Sequence, residues 1–471
     1  MIPSIPTLKS NQQFNQPVLR ICGDRSLEGE VRISGSKNAV LPIMAAALLS
    51  ADECQIRNVP QLEDVTQMGR ILEYLGVSVE HRGSVLNLNS ASLSGIKAPS
   101  DAVQKLRAGF LVIAPLLART GMAQVPLPGG CAIGSRPVDL HLRGLEAMGA
   151  KIEVREGVVH AYLKQGDRLQ GARIKLDFPS VGATEALIMA AVLAEGETVI
   201  ENAAQEPEVA DMIGFCQLMG ARISGAGTPR IVISGVSHLH GTEYRVIPDR
   251  IEAGTFLAAA AITRSPLTLT SVNAAHLRSV VEELWAMGAM VRAEKTPSLE
   301  TSRLHRLRIV PANKPMGRVI KTRPYPGFPT DMQPQFMSLL STANDNSFMI
   351  ETLFENRFQH IPELNRMGAD IRVQGNQALI FGGARLVGTD VTATDLRAGA
   401  ALVLAALAAE GTTTIRNLHY LDRGYENLEA KLEMLGAKVE RVSPLNPSPK
   451  KSTIVSPLPE EIAASESILS A

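Results

Sequence analysis

The sequence predicts an α/β fold of two domains, each made of three copies of one βαβαββ-type unit with apolar helices at its centre. Three observations predict it. A helix-end signature recurs six times in the 471-residue chain, as LEYLGVSVE, LEAMGAKIE, CQLMGARIS, LWAMGAMVR, LNRMGADIR and LEMLGAKVE. Its glycines (Gly76, Gly149, Gly220, Gly288, Gly368 and Gly436) are 73, 71, 68, 80 and 68 residues apart, and self-similarity at a fixed period marks a repeat architecture. The stretches NAVLPIMAAALLS, EALIMAAVLA and RAGAALVLAALAA are apolar nearly all round, the pattern of helices buried on every side. Finally, the chain is too long for one simple core.

Each period runs through the same elements. The interior helix comes first, then a strand such as TVIENAA or TTIRNL, then a polar loop. A second, amphipathic helix follows and ends in the signature, where glycine relaxes into the left-handed conformation of a helix C-terminus. A pair of strands closes the unit. Six units divide into two domains of three, with the junction near Gly241 to Ile247. Each domain is then a ring of sheets around three apolar helices. The first 18 residues and the Pro-, Ser-, Lys- and Glu-rich tail at 443–471 read as disordered extensions.

Composition narrows the function classes. Lys plus Arg and Asp plus Glu number 47 each, so the net charge is zero. That argues against broad nucleic-acid or anionic-membrane binding. The four cysteines, Cys22, Cys54, Cys131 and Cys216, form no CxxC and no metal-ligand spacing, so a reducing, cytoplasmic compartment is expected. The longest apolar stretch, around Ala398 to Ala409, is shorter than the ~18 residues of a membrane span. The N-terminus lacks the order of a signal peptide.

The repeat also places the chemistry. One recurrent loop position precedes the interior helix and holds Ser36–Lys37–Asn38, Lys105 with Arg107, Ser180–Val181–Gly182, Asp249–Arg250, Thr330–Asp331, and Asp395 with Arg397. The other precedes the amphipathic helix and holds the Cys131–Arg136 loop, Glu206 and Glu208, Asn356–Arg357, and Asp422–Arg423. Helix N-termini favour anions through unpaired N–H groups and the helix dipole. Cations gathered at both positions therefore predict an anion-binding cleft. Glu206 and Glu208, two apart, read as a solvated loop rather than an acid/base pair.

The segment PGGCAIGSRPVDLH, Pro128 to His141, carries the most specific signal. Its glycines and prolines force tight turns, and Arg136, five residues from Cys131, favours the thiolate. Other motifs fail. GSKN at Gly35 to Asn38 lacks the first glycine of a P-loop, and no GxGxxG opens a helix. There is no HExxH. A cysteine hydrolase would need a base, for which His141 is nearest in sequence, but no acyl-enzyme signature surrounds it.

With these loops assembled, the chain resembles the enolpyruvyl transferases from about Leu19 to Val442. The resemblance rests on ISGSKNAVLPI, KLRAGF, PGGCAIGSRPVDLH, FPSVGAT, AQEPEVAD, PDRIEAGTF, FPTDMQ, FENRF, TDLRAGA and LDRGYE, in that order. It implies a two-domain inside-out α/β barrel. In that scheme 19–37 is the first strand segment of domain II, 38–245 is domain I and 246–442 is domain II. The implied reaction moves the enolpyruvyl group of phosphoenolpyruvate to the 3′-hydroxyl of UDP-N-acetylglucosamine and releases phosphate, the first committed step of peptidoglycan synthesis. No metal or organic cofactor is implied, and protein partners are left open.

Residue by residue, the resemblance implies that Cys131 is the general acid, able also to add covalently to phosphoenolpyruvate and to be alkylated by the epoxide fosfomycin. Lys37, Asn38, Arg136, Arg357, Arg397 and Arg423 match phosphoenolpyruvate contacts. Arg107, Arg136, Pro137, Val138, Asp139, Leu140, Ser180, Val181, Gly182, Asp331 and Leu353 match sugar-nucleotide contacts. Asp331 is the candidate base, and Asp395 orients Arg397 or relays a proton. Two alternatives are a sister transferase acting on shikimate 3-phosphate, which lacks the cysteine loop, and a catalytically silent binding paralogue.

Overall fold

The computed structural model describes residues 16–129, 133–134, 137–164, 167–295 and 304–443. Six interior helices recur along them: α1 (Lys37–Ala46), α2 (Ile113–Thr120), α3 (Val181–Ala191), α4 (Arg250–Ile262), α5 (Gln333–Ser341) and α6 (Leu396–Ala408). Ala, Leu and Met favour helix, and with almost no polar face α3, α4 and α6 have nowhere to go but inside. Every residue from Ala183 to Ala191, from Ile251 to Ile262 and from Arg397 to Leu407 is buried.

The second unit departs from the pattern. Leu106 is extended, so its interior segment is split into a short helix Ser100–Lys105, a 3-10 turn Arg107–Val112 and then α2. Arg107 thus opens a 3-10 turn rather than a long helix. Elsewhere the signature glycines behave as expected. Gly76, Gly149, Gly220, Gly288, Gly368 and Gly436 all have φ between 91° and 104°.

The described strands form six sheets. In each, the strand after the interior helix pairs antiparallel with the second strand of its unit's hairpin, as Glu197–Glu201 does with Arg230–Ser234. The sixth sheet is the exception, because Val18–Cys22 sits between Thr412–Arg416 and Lys438–Val442, completing the last unit with the first strand of the chain. Short strands add a parallel edge to five of the six sheets. Arg173–Lys175, Val319–Lys321 and Asp390–Thr392 each run parallel beside the first strand of the following unit. Glu243–Arg245 returns to Glu53–Arg57, and Glu30–Arg32 joins Leu267–Val272.

Buried apolar side chains form two clusters. One is drawn from Ala39 to Val246; the other combines Leu19 to Ile33 with Ile251 to Val439. The chain crosses between them twice, and the crossings lie side by side. Ser36 N donates to Ile247 O at 2.8 Å, and Asp249 N to Ser34 O at 2.9 Å. Gly35 is required there, since a Cβ would sit 1.7 Å from Asn58 O. This crossing sets the N-termini of α1 and α4 beside each other, at the floor of the candidate site.

Candidate active site

Among the described residues, two clusters, each of two cations sharing one carboxylate, lie where the halves of the chain touch. In the first, Lys37 Nζ lies 2.7 Å from Asp64 Oδ2 and Arg423 Nε lies 2.8 Å from Asp64 Oδ1. Asp64 stands in the first turn of the amphipathic helix Glu63–Tyr74 and is 2% exposed. Burial would raise its pKa, but Lys37 and Arg423 together hold it below the usual carboxylate value. Lys37 shows the converse. Burial lowers its pKa, Arg397 and Arg423 lower it further, and Asp64 opposes them.

In the second cluster, Arg357 Nη2 donates to Asp331 Oδ1 at 3.0 Å, while Arg397 Nε and Nη2 donate to Asp331 Oδ2 at 3.2 and 3.1 Å. Both guanidinium groups are buried, 2% exposed at Arg357 and 4% at Arg397. Burial works against the Arg397 charge, yet Asp331 and Tyr425 hold its pKa above the ordinary arginine value. Arg357 Nε is buried with no hydrogen-bond partner among the described residues. A buried cation is costly unless paired, so two guanidinium groups on one carboxylate leave a place for an added anion. An ion pair at ~4 Å in an effective dielectric near 20 is worth roughly 4 kcal/mol before desolvation. Only several such contacts hold a multiply charged ligand.

Local backbone geometry places the other expected positions. Asp249 caps α4 by accepting from Ile251 N and Glu252 N, and its other oxygen accepts from Lys37 N at 3.1 Å. Asn38 follows in the first turn of α1, and Ser180 caps α3, accepting from Ala183 N. Gly182 lets the His141 ring approach, since a Cβ there would meet Nε2 at 3.0 Å. Val138 is buried, Leu140 is half-buried and Pro137 is exposed. Asp139 opens the helix Asp139–Ala147 and pairs with Arg143 at 3.2 Å. Leu353 N donates to Glu351 Oε1 at 2.8 Å in the turn that leads to Arg357. Arg107 lies close enough to His141 to act on its charge.

Cys131 and Arg136 lie outside the described residues. Their described neighbours reach the other half of the chain: Asn356 N donates to Ile133 O at 3.0 Å, and a Cβ on Gly134 would meet Glu355 Oε2 at 2.6 Å.

The solvated-loop expectation for Glu206 and Glu208 is corrected, and Asp395 and His141 take definite places. Asp395 Oδ1 accepts from Arg397 N and Ala398 N, capping α6. It orients Arg397 through the backbone. Replacing Asp395 with alanine is therefore expected to cost about 1 kcal/mol of stability through the lost cap, and a urea midpoint unchanged from the unaltered protein would contradict this. Glu206 and Glu208 are not a solvated pair. Glu208 is 3% exposed and receives Arg250 Nε at 2.9 Å, while Glu206 accepts from Tyr325 N at 3.3 Å. Beside them, burial first and then Glu208 and Glu206 push the Glu185 pKa well above the carboxylate range. His141 is a core residue. It stands edge-on to Phe110, with ring centroids 5.7 Å apart, and burial with Arg107 lowers its pKa to about 4.

Cys22, Cys54 and Cys216 are free, and burial raises the Cys216 thiol to about 12, the setting of an inert thiol. Among the described residues no group of His, Cys, Asp or Glu could hold a metal ion, and no helix is long and apolar enough to cross a membrane. Asp64 and Tyr425 escape sequence reasoning. Tyr425 stands two residues after Arg423 in LDRGYE, and that adjacency was the available signal.

Comparison with known proteins identifies the family. A family model described as EPSP synthase (3-phosphoshikimate 1-carboxyvinyltransferase) matches residues 21–432. The UDP-N-acetylglucosamine 1-carboxyvinyltransferase of Gloeobacter violaceus is 53% identical over 98% of this chain and 99% of its own length. That of Nostoc sp. is 53% identical over 94% and 98%. Among solved structures, the enolpyruvyl transferase NikO from Streptomyces tendae has a TM-score of 0.80 at 26% identity, covering 91% of this chain and 99% of that one. EPSP synthase from Acinetobacter baumannii gives 0.72 at 19% identity, over 91% and 100%, a likeness of fold alone.

Proposed function

Because the chain belongs to the enolpyruvyl transferase family, we propose that it transfers the enolpyruvyl group of phosphoenolpyruvate to the 3′-hydroxyl of UDP-N-acetylglucosamine and releases inorganic phosphate. The observation that carries the reading is the pair of clusters that set two cations on one carboxylate among the described residues, the half-buried Lys37 and Arg423 on Asp64 and the buried Arg357 and Arg397 on Asp331. Phosphoenolpyruvate brings a phosphate and a carboxylate, and planar guanidinium forks suit both. The choice of acceptor is supported by the relatives named for it at 53% identity and by the Cys131 loop, which disfavours the shikimate 3-phosphate reading.

In this reading Cys131 gives a proton to the methylene carbon while the sugar 3′-oxygen bonds to the adjacent carbon, and Asp331 takes the hydroxyl proton. A proton then leaves the new methyl group as the carbon–oxygen bond to phosphate breaks, which restores the double bond. Lys37, Asn38, Arg136, Arg357, Arg397 and Arg423 hold phosphoenolpyruvate. Arg107, the segment Arg136 to Leu140, Ser180 to Gly182, Asp331 and Leu353 hold the sugar nucleotide. The protein then works in the cytoplasm, where both substrates are made, and supplies cell-wall synthesis for growth and division.

The two apolar clusters and the three sheets that accompany each support reading the chain as two inside-out barrels, with 19–37 completing the second. Since Asp64 of domain I pairs with Lys37 and Arg423 of domain II, and Arg107 and Arg136 also belong to domain I, the sugar nucleotide draws the domains together and excludes water. Small-angle scattering tests this. The radius of gyration is expected to fall at saturating UDP-N-acetylglucosamine, and an unchanged value contradicts closure.

A further inference from the structure

At the centre of the second cluster, the Tyr425 hydroxyl joins all three interior helices of its half of the chain. It lies 3.0 Å from Thr255 Oγ1 of α4 and 3.4 Å from Gln335 Nε2 of α5, and it receives Arg397 Nη1 of α6 at 3.2 Å. Gln335 Nε2 also reaches Thr255 Oγ1 at 3.2 Å. All four residues are buried, with exposures from 0% to 5%. Four polar side chains at the core of an apolar bundle are costly unless mutually satisfied, so their arrangement needs a reason.

The proton directions follow from the geometry. Thr255 Oγ1 donates to Ile251 O at 2.8 Å, one turn back in α4. Its single proton is thereby committed, so Tyr425 donates to Thr255 and accepts from Arg397. Burial raises the Tyr425 pKa, which keeps that proton in place. A hydroxyl that donates onward is the better acceptor. The Arg397 guanidinium also packs over the Tyr425 ring at 5.5 Å from its centroid.

Arginine has five N–H groups in a planar fork. Nε and one N–H of Nη2 are given to Asp331, and one N–H of Nη1 to Tyr425. One N–H remains on each terminal nitrogen, the pair that a bidentate anion takes. Asp331 alone would leave the opposite side of the guanidinium unrestrained.

We propose that Tyr425 is a positioning residue for Arg397: its hydroxyl, itself locked by Thr255 and Gln335, fixes the guanidinium plane so that the two uncommitted N–H groups bind an anionic group of phosphoenolpyruvate as a fork. This rests on the reading that Arg397 contacts phosphoenolpyruvate. Tyr425 touches no substrate and acts only through Arg397.

The test is steady-state phosphate release by the full chain and by Tyr425→Phe, which keeps the ring and removes the hydroxyl. A hydrogen bond to a charged group is worth enough to expect about a tenfold rise in the KM for phosphoenolpyruvate, with the KM for UDP-N-acetylglucosamine unchanged. Thr255→Val should produce a smaller rise of the same kind. In an Arg397→Lys background, Tyr425→Phe should add nothing, because an ammonium has no plane to orient. A merely structural role would lower the folded fraction, and with it kcat, without moving either KM. That pattern, or a phosphoenolpyruvate KM equal to the unaltered protein's, overturns the proposal while leaving the transferase reading intact. Failure of the unaltered protein to release phosphate overturns both.

Discussion

Replacing Cys131 with serine is expected to leave less than about one per cent of the activity, the loss typical when a general acid is removed. A hydroxyl is far too weak an acid to protonate the methylene carbon of phosphoenolpyruvate. The thiol must be protonated to act. A free thiol has a pKa near ~8.5, so activity should fall on the alkaline side as the thiolate forms. Aspartate carries an exchangeable proton with a reference pKa near ~3.9, held only at lower pH. Cys131→Asp is therefore expected to work with its optimum moved to acid pH. The thiolate is the nucleophile toward small epoxides, so fosfomycin should inactivate the unaltered protein and spare both variants. Measured pH–rate profiles and inactivation rates for the three forms check this. A serine variant fully active at neutral pH would return the segment to a glycine-rich turn.

Arg397→Ala should lower kcat/KM by roughly 10²- to 10³-fold, the loss seen when one charge-stabilising donor is removed from a reacting site. The structure explains why no neighbour compensates. Arg397 is buried, gives Asp331 two hydrogen bonds where Arg357 gives one among the described residues, and is itself held by Tyr425. Arg397→Lys should restore only part of the loss, because a point charge cannot reproduce a planar fork. Full activity of the lysine variant would remove bidentate recognition from the account. Melting curves of both variants separate this loss from unfolding, since removing one partner of a buried pair also destabilises.

The parts of this architecture that repeat were legible in the sequence, because they are local. A positive-φ glycine must end each amphipathic helix, and six of them appear with φ from 91° to 104°. A helix without a polar face must be interior, and α3, α4 and α6 are. The split before α2 was less legible. It turns on the extended backbone of Leu106, which no strong breaker at that position announces.

The candidate site was legible as residue types at recurrent loop positions and illegible as a network of partners. Asp64 meets Arg423 across 359 positions of chain, and Tyr325 meets Glu206 across 119. No local pattern encodes such a pairing. That is why Glu206 and Glu208 read as a solvated loop until Arg250 and Tyr325 closed over them. Asp395 illustrates a subtler limit. An aspartate two residues before an arginine can pair with its side chain or cap its backbone, and only the extended conformation at Asp395, with φ −158° and ψ 175°, selects the cap. The side chain of Arg397 is thereby freed for Asp331 and Tyr425.

The central claim is the transfer itself, and the release of inorganic phosphate from phosphoenolpyruvate by the purified full-length protein, measured with each acceptor in turn, tests it most directly. The account predicts phosphate release that depends on UDP-N-acetylglucosamine and does not occur with shikimate 3-phosphate. Release with shikimate 3-phosphate in place of the sugar nucleotide, or release with neither, would contradict it.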